Sequence, residues 1–249
     1  MLSDNEIAFC APSYKRHDGC FTQQTYPFVQ YVVAESESDS YIKNGHKVIV
    51  APDSAQGNLC RIRNWILDNI ESKRIILLDD DIKAICRYQN QKAKKLNADE
   101  FMEFCEMAYV MADDLDIKYW GLNCLPDKGA YREYTPFCMR AYIGGPFQAF
   151  NGMKDLRYDE KIFLKEDYDM TLQVLAKYKR VLRFNAYHYV AKQHTNKGGC
   201  ADYRTIEREK QHNAMLQQKW GTKIVQMDKS GNKNGYDINP IIKIPGSGV

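Results

Sequence analysis

The sequence predicts an α/β domain whose central sheet is mostly parallel, with helices on its faces. Three observations predict it. Short apolar runs alternate with longer segments of helical spacing through the first half of the chain, the pattern of strand–helix–strand units. The run Ile75-Ile76-Leu77-Leu78 is continuous rather than alternating, as a strand covered on both faces reads. It stops directly at Asp79-Asp80-Asp81, and in open α/β sheets the carboxyl ends of strands form the binding edge.

The elements follow in order. Residues 6–11 and 28–34 read as the first two strands, closing on Pro12-Ser13-Tyr14-Lys15-Arg16 and Glu35-Ser36-Glu37. A third strand covers 47–51. The spacing of Leu59, Ile62, Trp65, Ile66 and Ile70 predicts a helix over 58–70. Strand 75–78 and the acids come next, then a polar, basic stretch at 89–95 expected to be mobile. A helix over 99–115 carries its apolar stripe on Phe101, Phe104, Cys105, Ala108 and Leu115, with a cap within 97–99. Strands are expected at 119–124, 137–143 and 147–150, with Gly144-Gly145-Pro146 as the break. Residues 165–179 form a helix that opens with Glu166, Asp167 and Asp169, where the helix dipole favours acids. Residues 180–184 and 187–190 read as strands, 193–200 as a polar loop, and 203–220 as a charged helix. Residues 1–220 are expected to make one domain and 221–249 a docked or flexible tail.

Composition narrows the classes. No apolar run reaches the roughly 18–20 residues that span a bilayer. With no apolar leader at 1–6, a soluble cytoplasmic protein without stable membrane association is expected. Eight cysteines at wide spacing, with no C-x-x-C pair, argue against a zinc site or a disulfide framework. Net charge is +3, but residues 171–249 carry +9 and residues 1–170 carry −6. Such asymmetry suits a nucleic-acid partner as well as an ordinary basic surface.

Three adjacent carboxylates repel one another, and a divalent cation relieves the repulsion. Hard oxygens suit Mg²⁺ or Mn²⁺, with phosphate oxygens completing the shell. Four segments surround this feature in fixed order: Pro12-Ser13-Tyr14-Lys15-Arg16, Arg61-Ile62-Arg63-Asn64 before Asp79-Asp80-Asp81, Gly144-Gly145-Pro146-Phe147, and Lys165-Glu166-Asp167-Tyr168-Asp169 followed by a late histidine. This set, over about residues 6–195, resembles the nucleotide-sugar glycosyltransferases of GT-A fold. Lys15 stands where that pattern has asparagine, and Ala34-Glu35-Ser36-Glu37 replaces its Asp-Asp-Gly-Ser.

The resemblance implies a UDP-sugar donor and a divalent metal, Mn²⁺ or Mg²⁺. It places Pro12, Ser13, Tyr14, Arg16, Glu35, Arg63, Asp79, Asp80 and Lys197 on the donor. It gives Asp81 and His194 to the metal, with His188 read as buried in a strand. Asp167 becomes the base, paired with Glu166, and Gly144, Gly145 and Asp169 face the acceptor. A base beside the acceptor hydroxyl implies single displacement with inversion.

The small basic chain looks most like the phage glycosyltransferases of the TET-associated and base-J type, which act on hydroxymethylated pyrimidines in DNA. That likeness implies a DNA partner, with Arg204, Arg208, Lys210 and Lys219 on phosphates and aromatic residues of 131–137 stacking on an extruded base. The same chemistry on a glycan or protein, a nucleotidyltransferase, and a catalytically inactive nucleic-acid-binding module are the competing readings. A nucleotidyltransferase would open with a glycine-rich basic loop, which 12–19 does not provide.

Overall fold

The computed structural model describes residues 6–90, 92–124, 131–191, 204–227 and 239–244. The sheet is built from β1 (Ile7–Pro12), β2 (Gln30–Ala34), β3 (Val48–Ala51), β4 (Arg74–Leu78), β5 (Ile82–Gln89), β6 (Lys92–Lys95), β7 (Tyr119–Asn123), β8 (Phe137–Cys138), β9 (Phe147–Asn151) and β10 (Leu182–Ala191). Their order is β3-β2-β1-β4-β9-β7-β10-β5-β6, with β8 also on β10. Parallel pairing joins β3, β2, β1 and β4, and again β7 and β10. Only β5, β8 and β9 run against the other strands of the ten-stranded sheet. The expected mostly parallel sheet is what the chain adopts.

Helices cover both faces. One core layer joins α4 (Ala98–Asp114) to the sheet through Phe101, Phe104, Tyr109, Trp120 and Phe147. The opposite layer holds Ile62 and Ile66 of α3 (Leu59–Asn69) and Met170 and Val174 of α5 (Glu166–Tyr178). Local chemistry sets the helix starts. Asn58 accepts from the Arg61 N–H, and Asn97 and Glu100 form a reciprocal capping box.

Several boundaries differ from the sequence reading. Helix α2 (Glu35–Lys43) begins directly on β2, and its polar sequence hid it, since only Tyr41 is buried. The basic stretch 89–95 is no mobile loop, because Lys92–Lys95 pairs with β5 as an edge hairpin. Residues 139–143 leave the sheet after β8 and cross beneath α5, where Thr171 Oγ1 receives the Ile143 N–H. The two late strands are one, β10, with a register shift between Phe184 and His188. Helix α6 (Ile206–Trp220) is capped by Thr205, and beyond it β11 (Val225–Met227) pairs with β12 (Pro240–Ile242). Leu216, Val225, Ile162 and Leu172 close over that join, so the described part of the tail is docked. No helix among the described residues is long and apolar enough to cross a membrane.

Candidate active site

The acids at 79–81 leave β4 at the carboxyl edge of the parallel strands, next to the loop after β1. The short helix α1 (Thr22–Thr25) clamps this turn. Thr22 Oγ1 donates to the Asp79 carbonyl at 2.8 Å and accepts the Ile82 N–H at 2.9 Å. The Phe21 and Thr22 N–H groups both reach the Asp80 carbonyl. Neither α1 nor Thr22 carries a signal in the sequence.

The three carboxylates have three different fates. Asp80 is buried and receives Ser13 Oγ and Arg16 Nη1, the latter at 2.8 Å. Ser13 is buried too and also bonds the Tyr41 hydroxyl at 2.8 Å. Both were expected to hold the donor directly. Their side chains instead brace the loop, leaving Arg16 and Tyr14 as its half-buried members. Asp79 pairs with Arg63 Nη2 at 3.3 Å and keeps 34% of its side chain exposed. Among the described residues, the cation beside Asp81 is Arg16, at 3.8 Å. Burial, then the charges of Asp79 and Asp80, push its carboxyl up to about 7. Asp81 is thus the acid short of positive charge.

That pattern decides how a metal fits. Arginines already neutralise Asp79 and Asp80. Among the described residues no group of three or more His, Cys, Asp or Glu side chains converges on one point. One carboxylate plus donor phosphates is an ordinary Mg²⁺ arrangement, so Asp81 suits an ion that arrives with the nucleotide. His194 and Lys197 lie outside the described residues. His188 is buried in β10 against the Tyr88 ring, as expected for a strand histidine.

Arg63 joins this edge to α5. Its side chain is 1% exposed and reaches Glu166 Oε1 at 3.0 Å, the Gly145 carbonyl at 2.9 Å and Asp79. Arg63, expected on the donor, and Glu166, expected beside the base, are each buried in the other's partnership. Burial first, then the charge of Asp167, raise the Glu166 carboxyl to about 7, against the attraction of Arg63. Asp167 is the half-buried member of the trio. It accepts from the Gly145 N–H at 2.9 Å, from the Tyr168 N–H at 2.8 Å and from the Tyr142 hydroxyl.

Asp169 is a further correction. It is fully buried, taking Trp220 Nε1 at 2.8 Å, Lys219 Nζ at 2.9 Å and Gln173 Nε2 at 2.7 Å. Two residues along a helix turn the side chain by about 200°. Asp167 is half-buried, and Asp169, expected at the acceptor, is turned to Lys219 and Trp220 of α6. Gly144 and Gly145, expected at the acceptor, are buried and packed beside Tyr189 and Asp167. A Cβ at Gly144 would stand 2.6 Å from the Tyr189 hydroxyl, and one at Gly145 would stand 3.2 Å from Asp167 Oδ2. Pro12 and the exposed Glu35 sit at the carboxyl ends of β1 and β2, on the expected edge. A groove lined by Phe9, Phe28, Ile49 and Met102 lies at the opposite, amino edge of β1 and β2.

Comparisons with known proteins agree with this geometry. Residues 7–199 match the family model described as TET-Associated Glycosyltransferase. No curated protein is similar enough in sequence to match. Among solved structures, the mannosyltransferase PcManGT from Pyrobaculum calidifontis, in complex with GDP-Man and Mn²⁺, aligns at TM-score 0.51 and 12% identity, over 88% of this chain and 67% of its own. Glucosyl-3-phosphoglycerate synthase from Mycobacterium tuberculosis, in complex with Mg²⁺ and UDP, aligns at TM-score 0.49 and 9% identity, over 95% and 87%. TarS residues 1–349 from S. aureus align at TM-score 0.48 and 13% identity, over 74% and 60%. The chain thus spans about three-fifths of the TarS structure. At these identities the first of the three supports the GT-A fold and nothing finer.

Proposed function

The chain belongs to the TET-associated glycosyltransferase family, and from that premise we propose that it moves a sugar from a nucleotide-sugar donor to a hydroxymethylated pyrimidine in DNA, with inversion. The observation that carries the reading is Arg63. One buried guanidinium ties the acids after β4 to the start of α5, so a leaving diphosphate and a base can share one cleft.

Asp167 takes the proton of the acceptor hydroxyl as its oxygen attacks the anomeric carbon. The bond to the diphosphate breaks, and its electron pair leaves with the phosphate oxygen. Arg16, between Asp80 and Asp81, and the loop after β1 receive the nucleotide, with Lys197 as a further phosphate contact. Asp81 and His194 would hold a divalent ion, which when bound spreads the negative charge of the leaving group. Gly144 and Gly145 admit the acceptor beside Asp167.

Surface charge supports a polyanionic acceptor, with Arg208 and Lys210 exposed on α6. Lys219 is committed to Asp159 and Asp169, and Arg204 lies 3.2 Å from Glu209. The hairpin β5–β6 exposes Lys83, Arg87, Lys92 and Lys95, whereas its Lys94 is paired with Glu100 at 2.5 Å. Arg87 and Lys94 stand directly opposite each other, a like-charge pairing that disfavours the hairpin. Lysines on an edge strand also block sheet extension, but β5 is paired on both sides, so Lys83 and Arg87 have no such use. Tyr134 and Phe137, 82% and 43% exposed, lie beyond β10 and suit stacking on bases.

The test incubates the protein with UDP- and GDP-sugars and Mn²⁺, against duplex DNA bearing 5-hydroxymethylcytosine and against glycan acceptors. Transfer to the DNA, abolished in Asp167→Asn, is expected. Transfer to glycans alone would overturn the acceptor, and no turnover with any pair would overturn the activity.

A further inference from the structure

A carboxylate offers about four lone-pair sites, and at Asp167 three are filled from within the chain. Oδ2 receives two donors, the Tyr142 hydroxyl and the Gly145 N–H. Oδ1 receives one, the Tyr168 N–H of its own helix turn. Among the described residues, the site left over belongs to Oδ1. Tyr142 arrives on the segment that left the sheet after β8. Its ring lies on that of Tyr168, with centroids 4.2 Å apart and planes at 14°, so the hydroxyl is held by a stacked ring rather than by a mobile side chain. Both rings are half-buried. Burial keeps the Tyr142 phenol protonated, its titration lying well above the ordinary tyrosine range, so toward Asp167 it is a donor only.

We propose that Tyr142 is the positioning residue of the reaction: together with the Gly145 N–H it saturates Asp167 Oδ2, and so directs the acceptor's proton to Oδ1. This rests on Asp167 being the base. The acceptor O–H bond breaks toward Oδ1 while its oxygen bonds the anomeric carbon. Neither the phenol proton nor the Gly145 amide proton moves. The arrangement also explains why position 145 is a glycine. An added methyl there would stand 3.2 Å from Oδ2, so the carboxylate would have to shift by a few tenths of an ångström.

Two variants approach the same oxygen from opposite sides. Tyr142→Phe keeps the stacked ring and removes only the hydroxyl. Gly145→Ala intrudes on Oδ2. With UDP-glucose, Mn²⁺ and a duplex oligonucleotide bearing 5-hydroxymethylcytosine, each should lower kcat roughly 10- to 100-fold, part of the factor a placed base contributes. KM for the donor should stay within about twofold, since neither change touches the donor edge. The double variant should be no slower than the worse single one. If Asp167→Asn is inactive while Tyr142→Phe retains full kcat, the positioning role fails and the base survives. If Asp167→Asn retains transfer, the base itself fails. A crystal structure of Tyr142→Phe gives a readout independent of turnover. Asp167 is expected in more than one rotamer, and a carboxylate still seated on the Gly145 N–H would overturn the role.

Discussion

Replacing Arg63 by methionine tests how the two acidic segments are held together. Methionine keeps the unbranched apolar stem of the side chain and removes every donor. The Gly145 carbonyl loses its partner at 2.9 Å, which costs about 1–3 kcal/mol. The bond to Asp79 contributes about 1 kcal/mol or less, because that carboxylate is a third exposed. Glu166 supplies the pH dependence. Burial, and then the charge of Asp167, already hold its carboxyl at about 7 with Arg63 in place, and removing the cation drives it higher. A carboxyl whose folded pKa exceeds its unfolded value of about 4.3 binds more protons when folded, so stability falls as pH rises between the two values. In the parent that fall ends at about 7. In Arg63→Met it continues, at up to about 1.4 kcal/mol per pH unit. Urea denaturation should therefore show a loss of roughly 2–4 kcal/mol at pH 6 and up to about 3 kcal/mol more at pH 9. Glu166→Gln in the same background should remove the extra loss at pH 9. Equal losses at both pH values would refute the argument.

Three other outcomes are expected. Burial opposes ionisation of Asp113, but bonds from Asn151, Arg74 and Lys73 outweigh it and hold the carboxyl at about 2. Its folded pKa is depressed, so Asp113→Asn should cost about 1 kcal/mol above pH ~4, after discounting for its exposed edge, and nothing once pH has fallen through about 2, as urea titrations at pH 7 and 2 would read. Trp220→Phe removes the indole N–H from buried Asp169 and should cost about 1–3 kcal/mol; a change in acceptor KM without loss of stability would restore Asp169 to the acceptor site. Lys92→Glu with Lys95→Glu should weaken binding to a DNA duplex and lower the salt slope by about one per lysine, whereas an unchanged slope would leave these lysines with edge protection alone.

The hydrophobic pattern made most of the fold legible. A four-residue apolar run ending in acids is a buried strand at a binding edge, and Asn58 and Asn97 announce their helices through the N–H groups they cap. What escaped were elements whose stability is tertiary. Helix α2 buries little beyond Tyr41, and β6 exposes every residue, so neither carries a period to read. Among the candidate site residues, the sequence supplied the acids but not the division of labour between them. Helical spacing requires that Asp167 and Asp169 face opposite ways, yet it does not say which meets the cleft. That was decided by Trp220 and Lys219 arriving on α6. Likewise Arg16 and Arg63 sit on Asp80 and Asp79, and Tyr142 reaches Asp167 from across the fold. Periodicity and capping act between residues a few positions apart, so they are written in the chain. The charge state and aim of a carboxylate depend on partners that only folding brings within 3 Å or so.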